Sequence, residues 1–272
     1  PPTHKTMSSD FTPKQSFHSF VGVALDIGGR DHMEDEFNVV LNKDLSYFGV
    51  YDGHAGSLAS SFVRDNLSKH FFSKGVNSMK NKSSLQSAMT KAHVDVDKEY
   101  FVMEQQARKD GTHCSYSGST SISFVFKQRE GWGFVANAGD CRAILFHKGK
   151  VVNLSTDHRI LRTGVSSPET QRVIDLGGWI EDGLLCGQLE PTRGFGDCDF
   201  KQLKNVKFPG SEFKGDLVTP VPEYEWFSLT DEPDVIIEST NCTNEITVGV
   251  QSDHYSFLVL ASDGVWDMVR NC

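Results

Sequence analysis

The sequence has no long apolar run and no excess of basic residues, and it contains few prolines. Its longest apolar runs are about the length of Phe257–Ala261, whereas a helix that spans a bilayer needs roughly 20 residues, so we predict no membrane segment. Lys and Arg total 27 against 36 for Asp and Glu, and the net charge of −9 provides no general field that would bind nucleic acid. With 38% hydrophobic residues and only 9 prolines, the composition excludes disordered and collagen-like classes and predicts a packed globular protein.

The cysteines lack the spacing of a metal site or a disulfide framework. No C-x-x-C pair occurs among the 6 cysteines, and a chain of 272 residues can fold without disulfides. We therefore expect reduced thiols, no structural zinc and a cytoplasmic or nuclear location. A cysteine-dependent phosphatase needs an Arg six residues after its nucleophile. Cys114 and Cys186 have none, and Cys198 is followed directly by Asp199, so that class is excluded.

The order of β-prone runs and amphipathic segments predicts an α+β protein with antiparallel sheets. Apolar residues at helical spacing indicate two long helices, one after Ser57 and one from Leu85 onward, joined by a polar surface connection. Close-set β-prone runs imply antiparallel pairing. The predicted strands are 20–25, 36–41, 47–51, 120–126, 132–137, 141–147, 151–154, 234–238 and 257–261, with a short helix at 168–176. Because strands and helices fall in separate blocks, we expect helices that cover the sheets of one domain over residues 1–272.

Three predicted strands end in a carboxylate. Asp52 and Asp263 each follow an apolar strand and precede a glycine, and Asp140 follows the strand that begins at Trp132. Carboxylates at the rims of core strands can converge on one cleft, where hard cations such as Mg²⁺ or Mn²⁺ take oxygen ligands. Each Asp taken alone could equally mark an ordinary turn. The occurrence of three such ends favours a metal site.

The segment Gly28–Asp35 places Arg30 close to the adjacent carboxylates Glu34 and Asp35. A guanidinium can bind a phosphate through two hydrogen bonds while a nearby carboxylate holds a metal. Such a segment can also be a solvated charged loop. The sequence contains neither G-x-x-x-x-G-K-[ST] nor G-x-G-x-x-G, so no glycine-rich nucleotide-binding loop is predicted.

Six motifs follow one another in the chain: Arg30–Asp35 (RDHMED), Tyr51–Gly56 (YDGHAG), Ser117–Thr120 (SGST), Asn137–Arg142 (NAGDCR), Leu189–Asp197 (LEPTRGFGD) and Leu260–Asp267 (LASDGVWD). In this order they resemble the successive motifs of the metal-dependent type 2C protein serine/threonine phosphatases. The resemblance extends from residue 30 to residue 267, and chance would not place six such motifs in order.

The resemblance implies a four-layer α/β/β/α sandwich, in which helices flank two central antiparallel sheets and a cleft at one edge holds two Mg²⁺ or Mn²⁺ ions. By position, Asp52 would bridge both metals and the carbonyl of Gly53 would contact one of them. Glu34 and Asp263 would hold the other metal. Asp35 would lie next to these ligands and hold them in position without binding a metal directly.

Asp140 matches a residue that, together with Asp263, holds a third and weaker metal in some members of the family. The alternative is that Asp140 is only a turn carboxylate at the start of a hairpin.

The resemblance also implies the reaction. A water between two cations loses a proton readily and attacks phosphorus in line, so no protein nucleophile is needed. Arg30 would bind the phosphate, and His54 would donate a proton to the departing serine or threonine oxygen. The alternative for His54 is an outer residue that hydrogen bonds to water or to a carboxylate.

We therefore expect a monomeric enzyme that hydrolyses phosphoserine and phosphothreonine in phosphoprotein substrates, without nucleic acid or membrane partners. The alternative is a catalytically silent relative that serves as a binding or regulatory module. The clustered carboxylates favour the enzyme, because a binding module has no physical need for them. A metal-dependent nuclease is disfavoured by the acidic balance.

The sequence departs from the family pattern at three places. Ile160 stands where the family has the Pro of its Asp-His-Arg-Pro element, and Glu190–Thr192 replaces a small or hydrophobic start of the Arg-Gly-x-Gly-Asp region. The family also has an Asp-Asn motif near its C-terminal end, whereas the only Asp-Asn here is Asp65-Asn66, on the first predicted helix. We therefore expect the catalytic domain to be incomplete at its C-terminus.

Overall fold

A computed structural model describes residues 21–112, 115–147, 149–160, 167–208, 211–228, 236–238, 245–247 and 256–268. Within these ranges, no helix combines the length and the apolar character that crossing a membrane would require.

The fold is built on two larger antiparallel sheets, and three smaller sheets of two or three short strands accompany them. The strands in chain order are β1 (Glu36–Val40), β2 (Ser46–Tyr51), β3 (Gly53–His54), β4 (Gly118–Ser119), β5 (Ser121–Lys127), β6 (Trp132–Ala138), β7 (Arg142–His147), β8 (Lys150–Asn153), β9 (Ile180–Glu181), β10 (Leu184–Leu185), β11 (Phe195–Gly196), β12 (Lys207–Phe208), β13 (Ser211–Glu212), β14 (Glu223–Ser228), β15 (Ile236–Glu238), β16 (Glu245–Thr247) and β17 (Ser256–Ala261).

The larger sheet has six strands in the order β1-β2-β5-β6-β14-β15, and the second has four in the order β16-β8-β7-β17. All neighbouring strands in both sheets pair antiparallel, as predicted. A three-stranded sheet, β11-β4-β3, lies at the end of β2, and β9-β10 and β12-β13 form two hairpins.

Two long helices cover one face of the six-stranded sheet. They are α1 (Leu58–Ser73) and α2 (Lys82–Asp110), and they agree with the two amphipathic segments. The side chain of Asn81 accepts a hydrogen bond from the Ser84 amide, which caps the start of α2, and Gly111 ends it in the left-handed conformation. The connection between the helices contains a single 3₁₀ turn, Val76–Ser78.

The inner strands of the six-stranded sheet are largely buried on both faces, so they contribute to two hydrophobic cores. Val125 of β5 packs with Phe71 of α1 in the core beneath the helices. Ile122 and Phe126, which point the other way because side chains alternate along a strand, pack with Leu145 of β7 between the sheets. Helices, six-stranded sheet and four-stranded sheet therefore form three successive layers, and the predicted α+β sandwich with two antiparallel sheets is confirmed. The predicted fourth layer, helices on the outer face of the smaller sheet, is not seen among the described residues.

A third cluster of buried residues lies between residues 160 and 218. It includes Ile160, Leu185, Leu217 and Val173, the last on the short helix α3 (Pro168–Asp175). Pro168 stands in the first turn of α3, and the Ser167 hydroxyl accepts a hydrogen bond from the Thr170 amide at 3.1 Å, so the predicted helix begins with a regular cap. The last described helix is α4 (Asp263–Trp266), directly after β17.

The predicted first strand was wrong for the residues that the structure describes. Residues 21–25 form no strand, and Val21, Val23 and Leu25 are 44%, 50% and 52% exposed. Their alternating pattern suits a strand, but no described strand pairs with this segment, and without a neighbour there is no ladder of hydrogen bonds. Phe20, the start of that prediction, lies outside the described residues, as do residues 234 and 235 of the strand predicted at 234–238.

A central strand of the larger sheet was missed. No strand was predicted between the helix at 168–176 and the strand at 234–238, yet β14 lies there and pairs with β6 over its whole length. Trp226 lies in the core beneath the helices and Phe227 in the core between the sheets. A strand that is buried on both faces shows no alternation of polar and apolar residues. The adjacent aromatic residues Trp226 and Phe227 were therefore the local sign of a strand here.

Candidate active site

An open cleft of about 540 Å³ lies where β2, β6 and β17 end, and its lining includes most of the predicted site residues. Those in the lining are Arg30, Glu34, Asp52, Gly53, His54, Asp140 and Asp263. Asp35 is absent from this lining, and its carboxylate accepts a hydrogen bond of 2.6 Å from the Ser262 hydroxyl next to Asp263. The fold thus brings the predicted residues together, and their individual roles stay predictions.

Glu34 is held against the turn between β3 and α1. Its carboxylate accepts a hydrogen bond from the Gly56 amide at 2.7 Å, and its carbonyl accepts one from the Ser60 hydroxyl at 2.6 Å. Gly53 packs so closely on this segment that a Cβ there would collide with the Glu34 carbonyl oxygen. Only glycine therefore lets the backbone beside Asp52 approach Glu34.

We expect Gly53→Ala to displace Glu34 and to lower the free energy of unfolding by about 1–3 kcal/mol, the usual cost of overpacking. Urea denaturation would measure the stability, and calorimetry would measure the affinity for Mn²⁺, which we expect to fall as well. Gly22→Ala is the control, because nothing lies within 4 Å of a Cβ at that position. Equal behaviour of the two variants would show that the close approach has no importance.

The carboxylates of the cleft crowd one another. Burial, followed by the charges of Asp35, Asp263 and Asp140, raises the pKa of Asp52 to about 9. Burial and the charge of Asp263 raise the pKa of Asp140 to about 7, although Arg159 opposes the shift. These carboxyl groups are therefore close enough to repel strongly, and a bound cation would relieve that repulsion.

This donor set fits hard divalent cations. Every predicted ligand offers oxygen, which Mg²⁺ and Mn²⁺ prefer, and Asp52 and Asp263 are near enough to share a hydrogen bond. In the part of the chain that the structure describes, no three His, Cys, Asp or Glu side chains form a group that could hold an ion. Mg²⁺ commonly keeps several waters and needs only one or two carboxylates, so paired carboxylates are compatible with it.

His54 and Arg30 flank the carboxylates. The Nε2 atom of His54 lies 2.8 Å from Oδ1 of Asp197. Burial lowers the pKa of His54, but the hydrogen bond and charge of Asp197, with the charges of Asp140 and Glu34, outweigh it and raise this pKa overall. Arg30 is exposed on the turn that precedes β1, so its guanidinium is available to an anion that enters the cleft.

The cysteines near the cleft are unsuited to nucleophilic attack. Burial, followed by the charge of Asp52, raises the pKa of Cys141 well above its ordinary value. Burial raises the pKa of Cys198 to about 12, so both remain thiols at neutral pH. Because the thiolate is the reactive form, the exclusion of a cysteine-dependent phosphatase agrees with the structure.

The sequence analysis missed a network of ion pairs around Glu169, a residue that is only 6% exposed. Arg193 donates to Glu169 at 2.6 Å and to Glu223 of β14 at 2.7 Å, and Arg172 lies 3.0 Å from Glu169. The Thr192 hydroxyl also donates to Glu169 at 2.7 Å. The network joins α3, the Leu189–Asp197 motif and the larger sheet. The sequence analysis identified only the Leu189–Asp197 motif, because Glu169 and Glu223, with which its Arg193 pairs, lie far from it in sequence.

We expect Glu169→Gln to lower the free energy of unfolding by about 2–4 kcal/mol, because it leaves two arginines without their buried anion. Burial raises the pKa of Glu169, but the Arg193 hydrogen bond and the charges of Arg172 and Arg193 outweigh it and bring it to about 2, from 4.5. A lowered pKa in the folded state stabilises above pH 4.5, so the difference between wild type and variant should shrink as pH falls from 4.5 toward 2.

Urea denaturation at several pH values would measure this difference. Asp65→Asn, which breaks an exposed pair with Arg64, is the control and should change stability little. A Glu169→Gln variant that unfolds with wild-type energetics above pH 5 would contradict the assignment.

Comparison with known proteins shows what this chain is similar to. The family described as protein phosphatase 2C matches residues 27–272. A protein of Oryza sativa subsp. japonica named "Probable protein phosphatase 2C 27" is 32% identical over 283 residues, which cover 98% of this chain and 68% of that protein. "Probable protein phosphatase 2C 13" of Arabidopsis thaliana is 32% identical over 279 residues, covering 97% of this chain and 62% of its own length.

Solved structures show the same fold. The crystal structure of a serine-threonine phosphatase 2C from Toxoplasma gondii superposes with a TM-score of 0.63 at 23% identity, covering 90% of this chain and 77% of that one. A sex determining protein of C. elegans gives a TM-score of 0.58 at 20% identity and covers 74% of this chain and 46% of that chain. Among the first curated relatives, the chain spans between 59% and 68% of the relative's length.

Proposed function

Because this chain belongs to the protein phosphatase 2C family, we propose that it hydrolyses phosphoserine and phosphothreonine in proteins with the help of Mg²⁺ or Mn²⁺. One observation carries the proposal: Asp52, Asp140 and Asp263 converge in a cleft that Arg30 and His54 also line. A cleft with crowded carboxylates and a cationic rim suits a phosphate monoester held by metal ions.

Each residue has a role that its position supports. Asp52, Asp263 and Glu34 would hold two cations, with Gly53 contributing its carbonyl and Asp35 supporting the ligands through Ser262. The cations, when bound, supply charge neutralisation and an acidified water. Asp140 would serve a third and weaker site. Arg30 binds the phosphoryl oxygens, and His54 delivers a proton to the oxygen that leaves.

The silent binding module is the second candidate. The open cleft is compatible with it, but the crowding of Asp52, Asp140 and Asp263 raises the pKa values of Asp52 and Asp140 and costs folding energy that a bound cation would offset. A module that binds partners elsewhere gains nothing from this cost, so the enzyme is the better supported function.

A phosphopeptide assay would separate these functions. Release of phosphate from phosphoserine and phosphothreonine peptides should require added Mn²⁺ or Mg²⁺ and stop after chelation. Undiminished turnover after exhaustive chelation would refute metal dependence. Binding of metal without any turnover on a panel of phosphopeptides would favour the silent module.

A further inference from the structure

We infer that Asp197 is a positioning residue for His54, and that the glycine at position 118 makes their contact possible. The inference rests on the proposed function, in which His54 serves the leaving oxygen. It follows from the three-stranded sheet at the edge of the cleft, whose strands each contribute two residues.

The pairing of this sheet brings His54 and Asp197 together. Strand β4 lies in the middle, and Gly118 pairs with His54 on one side and with Gly196 on the other. Asp197 directly follows Gly196, so His54 and Asp197 approach each other from the two outer strands. Their side chains meet at 2.8 Å across the middle strand.

Gly118 leaves the space in which this contact forms. A Cβ at position 118 would collide with both Nε2 of His54 and Oδ2 of Asp197. Any other residue here would therefore push the imidazole and the carboxylate apart. The glycine is explained by this close approach, because its backbone is not in the left-handed region.

Asp197 is itself held firmly. Its side chain is only 4% exposed, and its backbone has φ of 48°, a left-handed conformation that Asp and Asn tolerate better than most residues. The preceding strand is tied to α2, because Asp97 accepts a hydrogen bond from the Gly196 amide at 3.0 Å and lies 2.5 Å from Lys201 Nζ. The backbone that carries the Asp197 carboxylate is therefore held in place beside His54.

The contact determines which ring nitrogen of His54 is available to a substrate. With Nε2–H donating to Asp197, the proton that passes to the leaving oxygen is the one carried on Nδ1, and its transfer leaves the ring neutral with Nε2–H still bonded to Asp197. Without the carboxylate, the ring could rotate and present either nitrogen. A misplacement of about 1 Å can cost about 10²-fold in rate, so orientation alone gives a measurable effect.

The test compares two leaving groups. On a phosphopeptide, whose alkoxide needs a proton, Asp197→Asn and Gly118→Ala should each lower kcat about 10- to 100-fold with little change in KM. On an aryl phosphate, whose phenolate leaves unaided, the losses should be several times smaller. Asn is chosen at position 197 because it keeps the size of Asp and accepts the left-handed backbone. Thermal denaturation would confirm that both variants fold.

Two comparisons make the result specific. Glu99→Gln removes the carboxylate 3.1 Å from His70, a similar pair on the outer helices, and should leave both activities unchanged. Adding Asp197→Asn to His54→Ala should cause no further loss, because residues that act as a unit are not additive.

The outcomes separate the inference from the proposed function. If His54→Ala shows the leaving-group dependence but Asp197→Asn and Gly118→Ala slow both substrates equally, the positioning role is refuted while the function stands. If His54→Ala itself slows both substrates equally, the proton-donating role of His54 falls, and the positioning role falls with it. Without phosphopeptide turnover by the wild type, the proposed function fails first.

Discussion

Asp52→Asn should reduce phosphopeptide hydrolysis by about 10³-fold or more, because cations in such sites supply several kcal/mol of transition-state stabilisation and each 1.4 kcal/mol is tenfold in rate. Asp52 is the predicted bridge between two cations, and a neutral amide binds them less tightly than a carboxylate. The local backbone should persist, because the Thr120 amide donates to the Asp52 carbonyl at 2.9 Å and not to its side chain.

Three measurements check this expectation. Steady-state kinetics at high Mn²⁺ gives the loss of rate, and calorimetry gives the loss of metal affinity. Thermal denaturation without metal should show a variant about as stable as wild type, because burial and the neighbouring carboxylates raise the pKa of Asp52 to about 9 and so leave it mostly uncharged at neutral pH, as the amide is. Asp44→Asn, at an exposed pair with Arg129, is the matched control. Near-normal metal affinity and rate in Asp52→Asn would show that another residue holds the metals.

His54→Ala should lower the rate on a phosphopeptide by about 10²–10⁴-fold, the range that general acid catalysis contributes. The loss should shrink on an aryl phosphate, because its leaving group needs no proton. Metal affinity should stay close to that of wild type, since His54 contacts Asp197 and is not among the predicted ligands.

Kinetics on the two substrates and calorimetry with Mn²⁺ measure these quantities. His70→Ala, on the outer face of α1, is a histidine control that should leave the rate unchanged. Equal losses on both substrates, or a large loss of metal affinity, would assign His54 a structural or metal-supporting role instead.

The carboxylates of the cleft could be predicted from sequence because each one ends a strand. Asp52 and Asp140 follow runs that belong to the larger sheet, and Asp263 follows the last run of the smaller one, so strand recognition places all three at sheet edges. That reasoning succeeds where local pattern and fold agree. An equally clear β-type pattern at Val21–Leu25 led to a wrong prediction, because a strand also needs a neighbouring strand to pair with.

The contacts of Asp197 and Glu169 could not be predicted from local sequence patterns. Asp197 meets His54 through strands of two residues, which carry no periodic signal, and a left-handed backbone that nothing in the sequence demands. Glu169 is a helix residue whose pattern suggests solvent, yet it is only 6% exposed and pairs with Arg193. Both depend on long-range packing, which overrides local preference.

The pairing order of the sheets has a consequence for how the protein folds. Strand β14 returns to pair with β6, and β17, the last described strand, returns to pair with β7. Both pairings close long loops, and proteins dominated by such non-local contacts fold slowly, in about milliseconds to seconds. Asp263 lies two residues after the end of β17, so it joins Asp52 and Asp140 only when this long-range pairing forms. The cleft is therefore complete only once this long-range pairing has formed, and a growing chain has no complete set of these carboxylates until Asp263, just beyond β17, has been synthesised.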